Sequence, residues 1–214
     1  MFVVVEESFT LAPGLVAGRY TPSPSFFYYS HFDFPRFLFS FRLGILDSSE
    51  IPPTFAAPSS QFVGLIAGGD AAIRHAQEGA EDSPLTGQDD LVRLRLDPEK
   101  DSVIGIAASG RTPYVLGAQR YAKRIGCLTI GVVCVSPSEM QAAGNVDVLV
   151  SPLPGPEVVT GSTRLKAGTA TKLVLNMLST GTMIRCGKTY GNMVMFFSSS
   201  FSVIRYNILI DRCG

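Results

Sequence analysis

The chain has 214 residues, of which 46 % are hydrophobic and 17 % charged, so it can build one sizeable core with appendages. Lysine plus arginine balances aspartate plus glutamate at 18 each, which argues against a nucleic-acid partner, because such partners select a clustered basic excess. Four cysteines without a C-x-x-C pair and two distant histidines exclude a disulfide framework, a zinc pattern and a thioredoxin-like motif, and point to a reducing, intracellular compartment.

In chain order, residues 1–41 are dense in Phe and Tyr among scattered Ser and Pro, with neither helical nor alternating periodicity. Met1-Phe-Val-Val-Val runs directly into Glu6 and Glu7, unlike a signal peptide. This zone reads as sequence not shaped by folding, with a packed segment as the alternative. Leu46 to Thr54 reads as a turn carrying Glu50 before two stiffening prolines. Phe62 to Ala67 is an apolar strand ended by Gly68-Gly69, and Asp70 stands as the N-cap of a helix over Ala71 to Glu78. Ser102 to Ala108 is the next strand. Thr112 is a candidate cap and Pro113 a first-turn residue of a helix running to Ile125. Leu128 to Val135 and Val146 to Val150 are further strands, and a long helix is expected over Lys166 to Arg185, with Gly187 just past its end. Apolar strands alternating with helices predict an α/β fold with a mostly parallel sheet covered on both faces. Residues 195–214 return to the flavour of the first zone. The apolar run from Met193 to Ile210 is too interrupted by Ser, Arg205 and Asn207 to be a membrane span.

The segment Gly105-Ile-Ala-Ala-Ser-Gly-Arg-Thr-Pro-Tyr-Val115 carries the clearest chemistry. It sets Ser109, Gly110, Arg111 and Thr112 between a strand's C-terminal end and a helix's N-terminus, where free N–H groups and hydroxyls favour an anion such as phosphate. An ordinary capped turn is the alternative. It is neither a Walker loop nor a G-x-G-x-x-G fingerprint. Glu78-Gly-Ala-Glu-Asp82 gathers three acids at the C-terminal end of the helix expected there, where the dipole opposes negative charge by ~0.3–1 kcal/mol. That cost points to function, against a solvated acidic turn. The loop Gly155 to Thr169 offers Glu157, Ser162, Thr163, Arg164 and Lys166 at a helix start, fit to line a sugar site, although Ser162 or Thr163 can equally serve as a cap.

These stretches in this order resemble the N-acetylmuramic acid 6-phosphate etherase family, whose sugar-isomerase (SIS) type domain is shared with the glucokinase regulatory protein. The resemblance rests on Arg42-Leu-Gly-Ile-Leu-Asp47, Glu50 with Pro52-Pro-Thr54, Val63-Gly-Leu-Ile-Ala-Gly-Gly69, Glu78 to Ser83, Gly105 to Val115, Gly155 to Lys172, Leu173 to Gly181 and Gly187 to Asn192. It implies a three-layer αβα SIS-type domain over residues 42–194, with a non-family segment at 1–41 and a non-family tail at 195–214. It further implies a cytoplasmic, homodimeric carbon–oxygen lyase that needs no metal or organic cofactor, with no nucleic-acid or membrane partner. Such an enzyme removes D-lactate from a phosphorylated amino sugar. The catalytic glutamates fall on Glu50 and Glu81. Ser109, Gly110, Arg111 and Thr112 would hold the phosphate, and Glu157, Ser162, Thr163 and Lys166 the sugar. A sugar-phosphate-sensing module like the regulatory protein, or an inactive fragment, is the alternative. The sequence departs from the family at its first phosphate loop, where Leu38-Phe-Ser-Phe-Arg42 keeps only Ser40 and Arg42 and lacks both glycines. The expected domain is therefore incomplete at its N-terminal strand.

Overall fold

The computed structural model describes residues 36–40 and 42–195; the expectations for residues 1–35 and 196–214 lie outside the described residues. Strand β1 (Phe37–Ser40) is followed by helix α1 (Arg42–Phe55), β2 (Phe62–Leu65), the short α2 (Ala71–Arg74), a 3-10 turn (Ala80–Asp82) and α3 (Pro84–Leu94). Then come β3 (Ser102–Ile106), α4 (Pro113–Ile125), β4 (Leu128–Val132), the short α5 (Glu139–Ala142), β5 (Val148–Val150) and α6 (Lys166–Arg185). A small antiparallel hairpin, β6 (Thr189–Tyr190) and β7 (Met193–Val194), closes the described residues. No helix among them is long and apolar enough to cross a membrane.

The main sheet has the order β2-β1-β3-β4-β5, and every pair in it is parallel. Strand β1 corrects the expectation of a missing N-terminal strand. It lies inside the 1–41 segment and stands between β2 and β3, with Ser40 in register with Leu65 and Gly105. The physical reason is that aromatic and aliphatic residues have high strand propensity, and a central strand of a parallel sheet needs no polar alternation to be recognised.

Two helices, α1 and α6, pack together on one face, and α3 and α4 pack together on the other. Side chains follow the pleat. Ile104, Ile106, Ile130 and Val132 point into a core with Ile51 and Phe55 of α1 and Leu175 and Met183 of α6. Val103 points the other way, into a core with Leu91 of α3 and Ala118 and Ala122 of α4. A third cluster, Ala107, Tyr114, Val115, Val133 and Met140, seals the region beyond the strands' C-terminal ends. Burying each large aliphatic residue contributes roughly 1.5–3 kcal/mol, so these clusters hold the edge on which the site is built.

Arg36, the residue before β1, fixes the sheet to the α3–β3 connection. The Asp101 carboxylate, 3 % exposed, accepts hydrogen bonds from the Arg36 backbone N–H at 2.8 Å, from its Nη2 at 2.8 Å and from the Asp97 N–H at 2.8 Å. The same guanidinium donates to the carbonyls of Leu94 and Arg95 at the end of α3, where a cation suits the helix dipole.

Candidate functional site

The loop that follows β3 runs directly into α4. Gly110 turns there with φ of +67°, and a Cβ at this position would lie 2.6 Å from the Cβ of Ser138. Only glycine meets both demands. Its carbonyl accepts from the Met140 N–H at 2.8 Å, and Ala108 accepts from the Cys134 N–H at 2.9 Å, so α5 and the segment just after β4 hold the loop in place. Thr112 stands at the N-cap position of α4 but makes no side-chain cap bond, contrary to its expected capping role. Its backbone is extended, and Pro113 already starts the helix.

This loop borders a cleft of about 1010 Å³ at the C-terminal ends of β2 and β3, where open α/β sheets bind ligands. Ser109, Thr112, Glu81, Thr163, Lys172 and Arg42 are among its lining residues. Glu81 reaches the cleft by a different route from the one expected. Helix α2 stops at Arg74, Gly79 adopts φ of +71°, and Glu81 and Asp82 stand in the 3-10 turn before Ser83, the N-cap of α3, while Glu78 precedes that turn. The expected helix to Glu78 is therefore corrected, and so is the electrostatic reading. Glu81 and Asp82 precede a helix start, where the dipole favours negative charge. Ser83 accepts from the Thr86 N–H at 3.3 Å and Pro84 opens the helix, so the N-terminal signal of α3 outcompetes a longer α2.

Glu50 also differs from its expected setting. It lies on α1 rather than in a turn, because the helix continues through Pro52 and Pro53 to Phe55. The prolines remove the N–H groups that would donate to Ser48 and Ser49, and the Thr54 hydroxyl donates to the Glu50 carbonyl at 2.6 Å. Glu50 does not line the cleft itself. Lys172 of α6 does, and its Nζ donates to Glu50 Oε2 at 3.4 Å and to Asp47 Oδ1 at 2.6 Å. Asp47 and Lys172 went unassigned in the sequence. The available signal was the spacing of Asp47 and Glu50, which puts both on one helix face.

A second cavity of about 480 Å³ adjoins the first and shares Ser109 and Thr163 with it. Arg111, Ser138, Glu139 and Glu157 line it. Glu157 caps α6. Its carboxylate accepts from the Lys166 N–H and the Ala167 N–H, each at 2.9 Å. These bonds, from Ala167 first, lower its pKa below the usual glutamate value. Capping by Ser162 or Thr163 does not occur: Leu165 is the N-cap residue and has no side-chain cap bond of its own. Lys166 Nζ donates to the Pro154 carbonyl at 3.0 Å, so Glu157 and Lys166 tie the loop's two ends together. Tyr114, also on the cleft, donates to Asp90 Oδ2 at 2.8 Å. Burial first, and Asp90 second, push its phenol far above the usual value.

Residues 39–123 match the family described as the glucokinase regulatory protein N-terminal SIS domain. The chain is 56 % identical over 164 residues to the N-acetylmuramic acid 6-phosphate etherase of Caldanaerobacter subterraneus, covering 77 % of this chain and 53 % of that one. It is 57 % identical over 154 residues to the etherase of Edwardsiella ictaluri, covering 72 % and 50 % respectively. The chain thus spans about half the length of the curated relatives it matches. In fold it is similar to a phosphosugar isomerase structure from Clostridium difficile, with a TM-score of 0.53 at 15 % identity, covering 85 % of this chain and 42 % of that one. A second similar structure, a phosphosugar isomerase from Bacteroides fragilis involved in capsule formation, has a TM-score of 0.51 at 21 % identity and covers 72 % of each chain. By its SIS-type fold and its identity over about three quarters of its own length, the chain is similar to the N-acetylmuramic acid 6-phosphate etherases across about half of their length.

Proposed function

We propose that the cleft binds a phosphorylated amino sugar and that the chain is an etherase-like lyase acting on N-acetylmuramic acid 6-phosphate. The reaction eliminates D-lactate from the 3-position and then adds water, leaving N-acetylglucosamine 6-phosphate. The observation that carries this reading is the meeting of Glu81 with Ser109 and Thr112 in one cleft, in a chain 56 % identical to etherases. The phosphate sits against the Ser109–Thr112 loop, where the first turn of α4 presents N–H groups without a side-chain cap. Arg111 and Gly110 belong to the same loop, and Ser40 ends the neighbouring strand. Ser162 and Thr163 belong to the sugar-side loop that Glu157 and Lys166 hold closed.

Elimination needs a base for the proton at C2 and an acid for the departing oxygen. Glu50 supplies the proton to lactate and Glu81 is the partner carboxylate. The same reading makes the protein a cytoplasmic homodimer. Leu173, Met177 and Ile184, all more than half exposed along α6, support self-association. The test is lactate release from N-acetylmuramic acid 6-phosphate by the full chain. Glu50→Ala and Glu81→Ala are each expected to lower turnover at least ~100-fold while ligand-induced thermal stabilisation remains. Stabilisation without turnover in the unmodified chain favours a sugar-phosphate-sensing module, a reading that the match to the regulatory protein's SIS domain supports. Neither effect marks an inactive fragment.

A further inference from the structure

We infer that Lys172, anchored by Asp47, is a positioning residue that holds the Glu50 carboxylate at the mouth of the cleft. The inference rests on the proposed function for the role of Glu50, but its geometry stands apart from it. Glu50 needs such a device. Its side chain is 58 % exposed and it does not line the cleft, so nothing in α1 alone would keep its flexible carboxylate in one place. Lys172 does line the cleft, and its ammonium bridges the two carboxylates.

The bridge is unequal. Asp47 is 5 % exposed at its side chain and 2.6 Å from Nζ, whereas Glu50 is 3.4 Å away. A buried carboxylate with one close cation anchors that cation strongly, because the low local dielectric strengthens the pair and moving the cation would strand the charge. Among the described residues Asp47 Oδ2 has no hydrogen-bond partner and Oδ1 accepts from Lys172, so Lys172 is the side chain's polar contact there. The anchored ammonium is then a fixed point for the mobile partner. One helical turn separates Asp47 from Glu50, which lets one lysine from the facing helix reach both. The arrangement also fits the chemistry: an acid that moves a proton to a leaving oxygen loses about 100-fold in rate for misplacement on the order of 1 Å.

The experiment uses the full chain with N-acetylmuramic acid 6-phosphate as substrate. Lys172→Met is expected to lower kcat roughly 100-fold with KM changed less than about threefold, and Lys172→Arg to recover about a tenth or more of the lost rate. Asp47→Asn should behave like Lys172→Met. A merely structural lysine would shift melting without this split between kcat and KM. Lys172→Met turning over as fast as the unmodified chain overturns the inference. A zero-length carbodiimide cross-link, mapped by mass spectrometry, reads the geometry without any turnover. An isopeptide between Lys172 and Glu50 supports the arrangement, and its absence overturns it. If the unmodified chain releases no lactate, the proposed function falls and the cross-link alone decides the geometry.

Discussion

Gly110 shows how much a single residue can carry here. Its φ of +67° costs an alanine roughly 1–2 kcal/mol, and the 2.6 Å approach of Ser138 adds a clash that α5 must move to relieve. Gly110→Ala is therefore expected to lower unfolding free energy by about 2–3 kcal/mol in a urea titration, combining that strain with overpacking. It should also abolish stabilisation by N-acetylglucosamine 6-phosphate, because the loop proposed to hold the phosphate is the part displaced; unchanged stabilisation would remove the loop from the phosphate site. The turn was legible in the sequence, since small residues between a strand's end and a helix start suit a tight loop, whereas the sequence alone left phosphate holding and a plain capped turn both open. Glu157 was named in the sequence as a candidate sugar-site residue, but its service as the α6 cap was not legible. The bond joins residues nine or ten apart across an irregular loop, which no local pattern reveals. The depressed pKa of Glu157 means the cap is complete above the ordinary glutamate range and is lost as pH falls through the lower folded value.

Helices α3 and α4 approach most closely at glycines. A Cβ on Gly117 would lie 2.0 Å from the Pro84 carbonyl oxygen, and one on Gly87 would lie 2.0 Å from that of Tyr114. The Tyr114 hydroxyl crosses the same interface to Asp90. In an isolated helix Gly→Ala gains about 1 kcal/mol. Here the clash is with backbone, which cannot rotate away, and overpacking of this kind costs ~1–3 kcal/mol or more. Gly117→Ala is accordingly expected to destabilise by about 2 kcal/mol net, read as a lower midpoint in urea; a higher midpoint would show that propensity wins. Helix α4 was readable because Pro113 opens it and Gly126 closes it at φ of +94°. Helix α3 was not, because Gly87 looks like a breaker until the partner helix explains it. The extent of α1 was hidden by Pro52 and Pro53, whose lost bonds fall in the helix's last turns, where few bonds remain to lose.

At the scale of the molecule, the sheet depends on a strand that the sequence hid among aromatic residues. Strand β1 separates β2 from β3, so within the sheet β2 reaches the rest only through it. What fixes β1 comes from 65 residues away in sequence: Asp101 receives the Arg36 backbone and guanidinium together. No periodicity could report that pairing, whereas the strands β3 and β4 were plain as apolar runs. Removing one partner of a fully buried pair costs about 3–5 kcal/mol, but Arg36 is 34 % exposed and can rehydrate, so Asp101→Ala is expected to cost about 2–3 kcal/mol. Two measurements locate the loss. The urea midpoint should fall with an unchanged slope if the domain unfolds as one unit. Amide exchange in β2 should then accelerate as much as in β4, because a cooperative sheet shares the loss. Acceleration confined to β1 and β2 would show instead that these strands form a separable flap, and the cleft floor at β3 would then keep its shape without them. An unchanged midpoint would mean that β1 is seated without the Arg36–Asp101 pair and that this pair contributes no net stability.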